Sequence, residues 1–81
     1  MNGIRLGDWL KMSEDGTDRE ITLHVWRVNE GRMGTTWSAL STTGELLRVC
    51  RLARWNGDDW AYSLVPITGD SYYPREWKRT K

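Results

Sequence analysis

Trp55-Asn56-Gly57-Asp58-Asp59-Trp60 divides the second half of the chain into two arms. Asn-Gly is a strong signal for a tight hairpin turn, because both residues tolerate the positive φ that such turns need. The flanking indoles can pair across the two strands. Downstream, residues 60–67 are rich in β-formers and run to Pro66 and Ile67. Upstream, residues 44–56 carry two patterns. As a helix, Thr42 and Glu45 form a capping box, Arg48, Arg51 and Arg54 fall three apart on one face, and Gly57 supplies a stop. As a strand, Leu47, Val49, Ala53 and Trp55 share a face broken only by Arg51. The hairpin turn favours the strand. The alternative is an α+β fold with a helix at about 44–56.

Working toward the N-terminus, residues 20–28 form the clearest strand, with Ile21, Leu23 and Val25 on one face and Thr22, His24, Trp26 and Val28 on the other. The turn-rich segment 13–18, with Asp15-Gly16 at its centre, folds this strand back on residues 9–12. A second loop at 29–34 leads into a strand at 35–42 that carries Trp37. From Thr68 the periodicity stops, so residues 68–81 read as a loop and basic tail, with Pro74 able to open one helical turn. The expectation is a single mainly β domain over 1–81: a small antiparallel sheet or barrel-like meander of four to five strands, with a short C-terminal tail.

Composition sets the remaining bounds. Among 81 residues there are six tryptophans (Trp9, Trp26, Trp37, Trp55, Trp60 and Trp77) and no phenylalanine. An indole has a large apolar body and one N–H donor, so it suits sites with one dry and one wet side. A single small core holds two or three of them, and the surplus points to a partner surface. Residues 1–30 carry 4 basic and 6 acidic side chains, 31–60 carry 4 and 3, and 61–81 carry 4 and 2, which gives −2, +1 and +2. That gradient is shallow for a nucleic-acid face. No stretch of apolar residues is long enough to span a membrane. The lone Cys50 suits a reducing interior, so the expected location is cytoplasmic.

The residues that could carry chemistry have structural readings that fit better. His24 and Cys50 make only two of the roughly four ligands a zinc site needs. Cys50 as a nucleophile would have no base but His24. Asp58 and Asp59 fall in a predicted turn, where aspartate bonds its own backbone. Glu14, Asp15, Asp18 and Glu20 do not match a calcium loop and read as a solvated loop. Gly31-Arg32-Met33-Gly34 lacks the continuation of a phosphate-binding loop. No catalytic residue, metal or cofactor is therefore expected, and the protein reads as a non-enzyme.

What remains is tryptophan interleaved with cationic side chains. The expected partner-binding residues are Arg54, Trp55, Trp60, Arg75, Trp77, Lys78 and Arg79. Arginine and tryptophan concentrate binding energy at protein interfaces, and the same pair stacks nucleobases. The first reading is a protein-binding module that occludes a larger assembly, in the style of accessory inhibitors by which phages and mobile elements block host defence. The alternative is a nucleic-acid binder with tryptophans as the stacking platform and the basic tail on phosphates. A formal charge of +1 ranks the protein partner first.

Overall fold

The computed structural model describes residues 3–32, 34–56, 59–68 and 73–80, with the side chains of Trp55, Asn56, Asp59, Tyr73 and Pro74 left aside. Six strands follow one another: β1 (Trp9–Glu14), β2 (Glu20–Gly31), β3 (Gly34–Ser41), β4 (Leu46–Asn56), β5 (Asp59–Pro66) and β6 (Tyr73–Arg79). Each is antiparallel to the next, and β6 returns to β1, so the sheet closes into a barrel. The Cα radius of gyration is 11.8 Å, close to the roughly 12 Å expected for a single domain of this length. Among the described residues, no helix is long and apolar enough to cross a membrane.

Alternation fills the interior. Leu10 and Met12 of β1, Leu23 and Val25 of β2, Trp37 and Ala39 of β3, Leu47 and Val49 of β4, Tyr62 and Leu64 of β5 and Trp77 of β6 all point inward and are buried. Ile4 joins them from the N-terminal segment. The Trp37 indole N–H donates to the Ile4 carbonyl at 3.1 Å, so one bond satisfies a buried donor and pins that segment. A barrel of so few strands leaves no lumen: side chains fill it.

The turns are built from local polar chemistry. Ser41 Oγ accepts the N–H groups of Thr43 (3.3 Å) and Glu45 (2.9 Å), and Thr43 Oγ1 donates to Glu45 Oε1 at 3.1 Å. Gly44 has φ +91°, which a side chain would strain. Glu45, one half of the cap-like pair, therefore ties a β3–β4 hairpin with Ser41 and Thr43, and residues 46–56 are strand, not helix. Leu47 and Val49 face inward as the strand pattern requires; Ala53, past a bulge between Arg51 and Ala53, is exposed.

Two expectations are corrected. The strand count is six, where at most five were expected, and the sixth comes from the segment read as a loop and tail. β6 pairs with β1 (Met12 opposite Arg79, Ser13 opposite Lys78, Glu14 opposite Trp77) and with β5 (Tyr62 opposite Trp77, Leu64 opposite Tyr73). Thr80 continues the bonding, its N–H and hydroxyl both reaching the Lys11 carbonyl at 2.8 and 2.9 Å. Only alternate residues of a short strand need be apolar, and here charged residues occupy most other positions, which hides the period. Trp77 is 0% exposed. Trp77→Ala should cost about 3–5 kcal/mol and leave a broadened or absent cooperative transition in chemical denaturation; retention of the wild-type midpoint would refute its role as the closing side chain.

Candidate functional site

Of the expected partner residues, the structure brings Arg54 and Trp60 together. Arg54 lies opposite Trp60 at the base of the β4–β5 hairpin tip, with its guanidinium 5.3 Å above that ring. Arg51, which sequence reasoning set aside, is more central: its guanidinium stands 4.7 Å from the Trp60 ring and 5.2 Å from the Trp37 ring. At these separations each contact is an attractive cation–π pair. Trp60 is half-buried against the core. The backbone of Trp55 belongs to β4, while its side chain lies outside the described residues, as do Gly57 and Asp58 altogether. Arg75 lies at the other turn, where its Nη1 would stand 3.6 Å from a Cβ placed on Gly16. Lys78 is exposed and Arg79 half-buried on β6. Trp77, expected at a partner surface, is instead buried in the core and offers no face to a partner.

The acidic segment is also not simply a solvated loop. Glu14 is buried; its Oε1 accepts the Thr17 hydroxyl at 3.0 Å and its Oε2 lies 3.6 Å from Arg19 Nη1. Arg19 in turn sits 5.8 Å from the Trp77 ring. This cluster lies beside Trp77, which pairs with Glu14 across the β1–β6 seam. His24 and Cys50 are both half-buried, and among the described residues no three His, Cys, Asp or Glu side chains gather as metal ligands.

The outer surface holds what sequence reasoning missed. The cross-strand register aligns Trp9 with His24, His24 with Leu40, and Leu40 with Leu46. Leu46 then accepts a hydrogen bond through its carbonyl from the Ile67 N–H at 2.9 Å. All five residues occupy outward positions, and together they cross β1, β2, β3, β4 and the residue that follows β5. Trp9 is 64% exposed, Leu40 42%, Ile67 39% and Leu46 38%. The Trp9 and His24 rings are 4.6 Å apart at 41°. Val65, also exposed, follows Arg48 in the register beside Leu46. One flank carries the neutralising pair of Lys11 and Glu20 at 3.6 Å. Single exposed apolar residues are ordinary, whereas a contiguous row rimmed by polar groups marks an interaction surface. The row is invisible in the sequence because its members come from five segments.

Comparison with protein-family models, curated proteins and solved structures finds no match to this chain.

Because these side chains point away from the core, Leu40→Ser and Leu46→Ser should each change unfolding free energy by less than about 1 kcal/mol. The matching inward changes, Ala39 aside, should cost several-fold more; Leu47→Ser measured beside Leu46→Ser by chemical denaturation makes the comparison within one dipeptide. Equal losses would mean the row is packed rather than presented.

Proposed function

We propose that this protein is a non-enzymatic binding module that docks on a larger protein assembly through the row Trp9, His24, Leu40, Leu46 and Ile67, and acts by covering a surface there. The observation that carries the reading is the continuity of that row across the outside of the barrel. Apolar area exposed in water is unfavourable by about 25 cal/mol per Å², and a partner that covers it recovers that free energy. Trp9 at one end is the natural anchor, since a large ring that packs on an existing neighbour loses little freedom on binding. The free Cys50 fits a reducing cytoplasm, and occlusion by a small barrel fits an accessory inhibitor of a phage or mobile element directed at host defence.

A second reading, nucleic-acid binding, is favoured by the Arg51, Arg54 and Trp60 stack, which combines a π surface with cationic groups. It ranks below the first because the formal net charge is only +1.

Affinity capture from cell lysate should be run with the wild-type chain and with a Trp9→Ser/Leu40→Ser variant, followed by quantitative mass spectrometry. A protein or complex retained by the wild type and reduced at least tenfold with the variant is the expected result, a loss of about 1.4 kcal/mol. Identical captured sets would sink the docking row. In parallel, tryptophan fluorescence is titrated with single- and double-stranded oligonucleotides at low and near-physiological salt. Quenching that weakens steeply with salt and disappears in Arg51→Ala/Arg54→Ala would replace the first reading with the second.

A further inference from the structure

Among the described residues, closure of the barrel leaves a stretch of β2 with a bonding partner on a single side. β1 accompanies β2 only as far as Trp9 opposite His24. Beyond that point the Gly7 N–H donates to the Val25 carbonyl (2.8 Å) and the Val25 N–H to the Asp8 carbonyl (2.9 Å), and the Asp8 N–H turns back to Arg5 (3.1 Å). The chain then leaves β2 and Ile4 enters the core. β2 continues, paired with β3 alone, from Arg27 opposite Ser38 to Gly31 opposite Gly34. Trp26, Arg27 and Val28 are all exposed in succession, so both faces of this arm meet solvent. Among the described residues, nothing pairs with the other side of residues 27–31.

Which backbone groups face that side follows from alternation. Both polar groups of Val25 point toward β1. Orientation alternates along an antiparallel ladder, and the bulge between Val25 and Arg27 adds one residue to the count. The N–H and C=O groups of Val28 and Glu30 therefore point to the open side. From Arg27 to Gly31 the register with β3 is unbroken, so these four groups keep regular strand spacing. The other arm, β4 past Cys50, also outruns its β3 neighbour, but two bulges interrupt it. Bulges blunt an edge against strand addition; the β2 edge has none in this stretch.

We infer that residues 27–31 accept an extended polypeptide segment as an added strand. Main-chain bonds to Val28 and Glu30 supply the affinity, and side chains opposite each residue supply the preference. Directly opposed pairs favour an acidic residue facing Arg27, an apolar one facing Val28 and a basic one facing Glu30. An antiparallel segment meeting these needs reads basic, polar, apolar, acidic from its N-terminus. The site is distinct from the outer row and stands without it.

The test uses the full chain labelled with nitrogen-15 and an end-blocked heptapeptide with Lys-Thr-Val-Glu at its centre. Amide shift changes should be confined to β2 from residue 26 onward and the facing part of β3, with hydrogen exchange at Val28 and Glu30 slowed at least tenfold at saturation. Methylating the peptide nitrogens of its Lys and Val should weaken binding at least tenfold. Replacing its Glu with Lys should weaken binding roughly two- to fivefold, and Arg27→Glu in the protein should restore it. Leu40→Ser/Leu46→Ser should bind the peptide normally, which separates this edge from the docking row. Shift changes elsewhere, equal binding of the methylated peptide, or no change at millimolar peptide would overturn the inference.

Discussion

Closure of the sheet at Trp77 is the constraint on which the rest of the molecule depends. The residue lies opposite Glu14 on one side and Tyr62 on the other, so it joins the first hairpin to the last. A six-stranded sheet left open at this seam would expose the edges of β1 and β6 and the apolar faces of both. Closing it brings the carboxylate of Glu14 into the interior, where an isolated charge is costly. The Thr17 hydroxyl and the Arg19 guanidinium offset that cost, and Arg19 lies against the Trp77 ring as well. The composition of the β1–β2 turn is thus a consequence of the seam.

The same geometry explains why this chain uses tryptophan and no phenylalanine. The interior is narrow, and the strands that line it are short. Trp37 and Trp77 each fill a volume that would otherwise take several aliphatic side chains. Trp37 also carries a donor that reaches Ile4, which a phenyl ring would not. Two buried indoles and the half-buried Trp60 complete the inside. Trp9 and Trp26 are then left outside, at 64% and 45% exposure, where core packing gives no reason for them.

Strand positions were legible from the sequence wherever a turn signal flanked an alternating run, as around residues 9–28 and at the 55–60 hairpin. The helix-like spacing of Arg48, Arg51 and Arg54 misleads because a bulge between Arg51 and Ala53 resets the strand period. Arg51 itself precedes the bulge, keeps the phase of Leu47 and Val49 opposite the buried Tyr62, and lies over the Trp37 and Trp60 rings. β6 was not legible: Arg75, Glu76, Lys78 and Arg79 surround the single inward tryptophan, and its closing partner, β1, lies more than sixty positions away. The outer row is hidden because its members come from different segments. Each of Trp9, Leu40, Leu46 and Ile67 is unremarkable in its own segment, and only the register makes them neighbours. Of the expected partner residues Arg54, Trp55, Trp60, Arg75, Trp77, Lys78 and Arg79, the structure pairs Arg54 with Trp60 and buries Trp77.

A closed barrel normally offers a partner nothing but side chains, because pairing all round consumes its backbone groups. Here closure is uneven. The strands differ in length from six residues in β1 to twelve in β2, and the surplus of the long strands projects past the ring. The outer row begins at Trp9, where β1 ends its pairing with β2, and the open edge of β2 begins just beyond. One structural fact, the shortness of β1, therefore creates both surfaces: it leaves the Trp9 ring at the rim against His24 and frees the backbone of residues 27–31. A protein partner that covers the row lies within a few residues of the edge and can use it for an extended segment of its own. A nucleic acid has no use for that edge, since it cannot continue a peptide hydrogen-bond ladder. The proximity of the two features thus weighs for a polypeptide partner independently of the net charge.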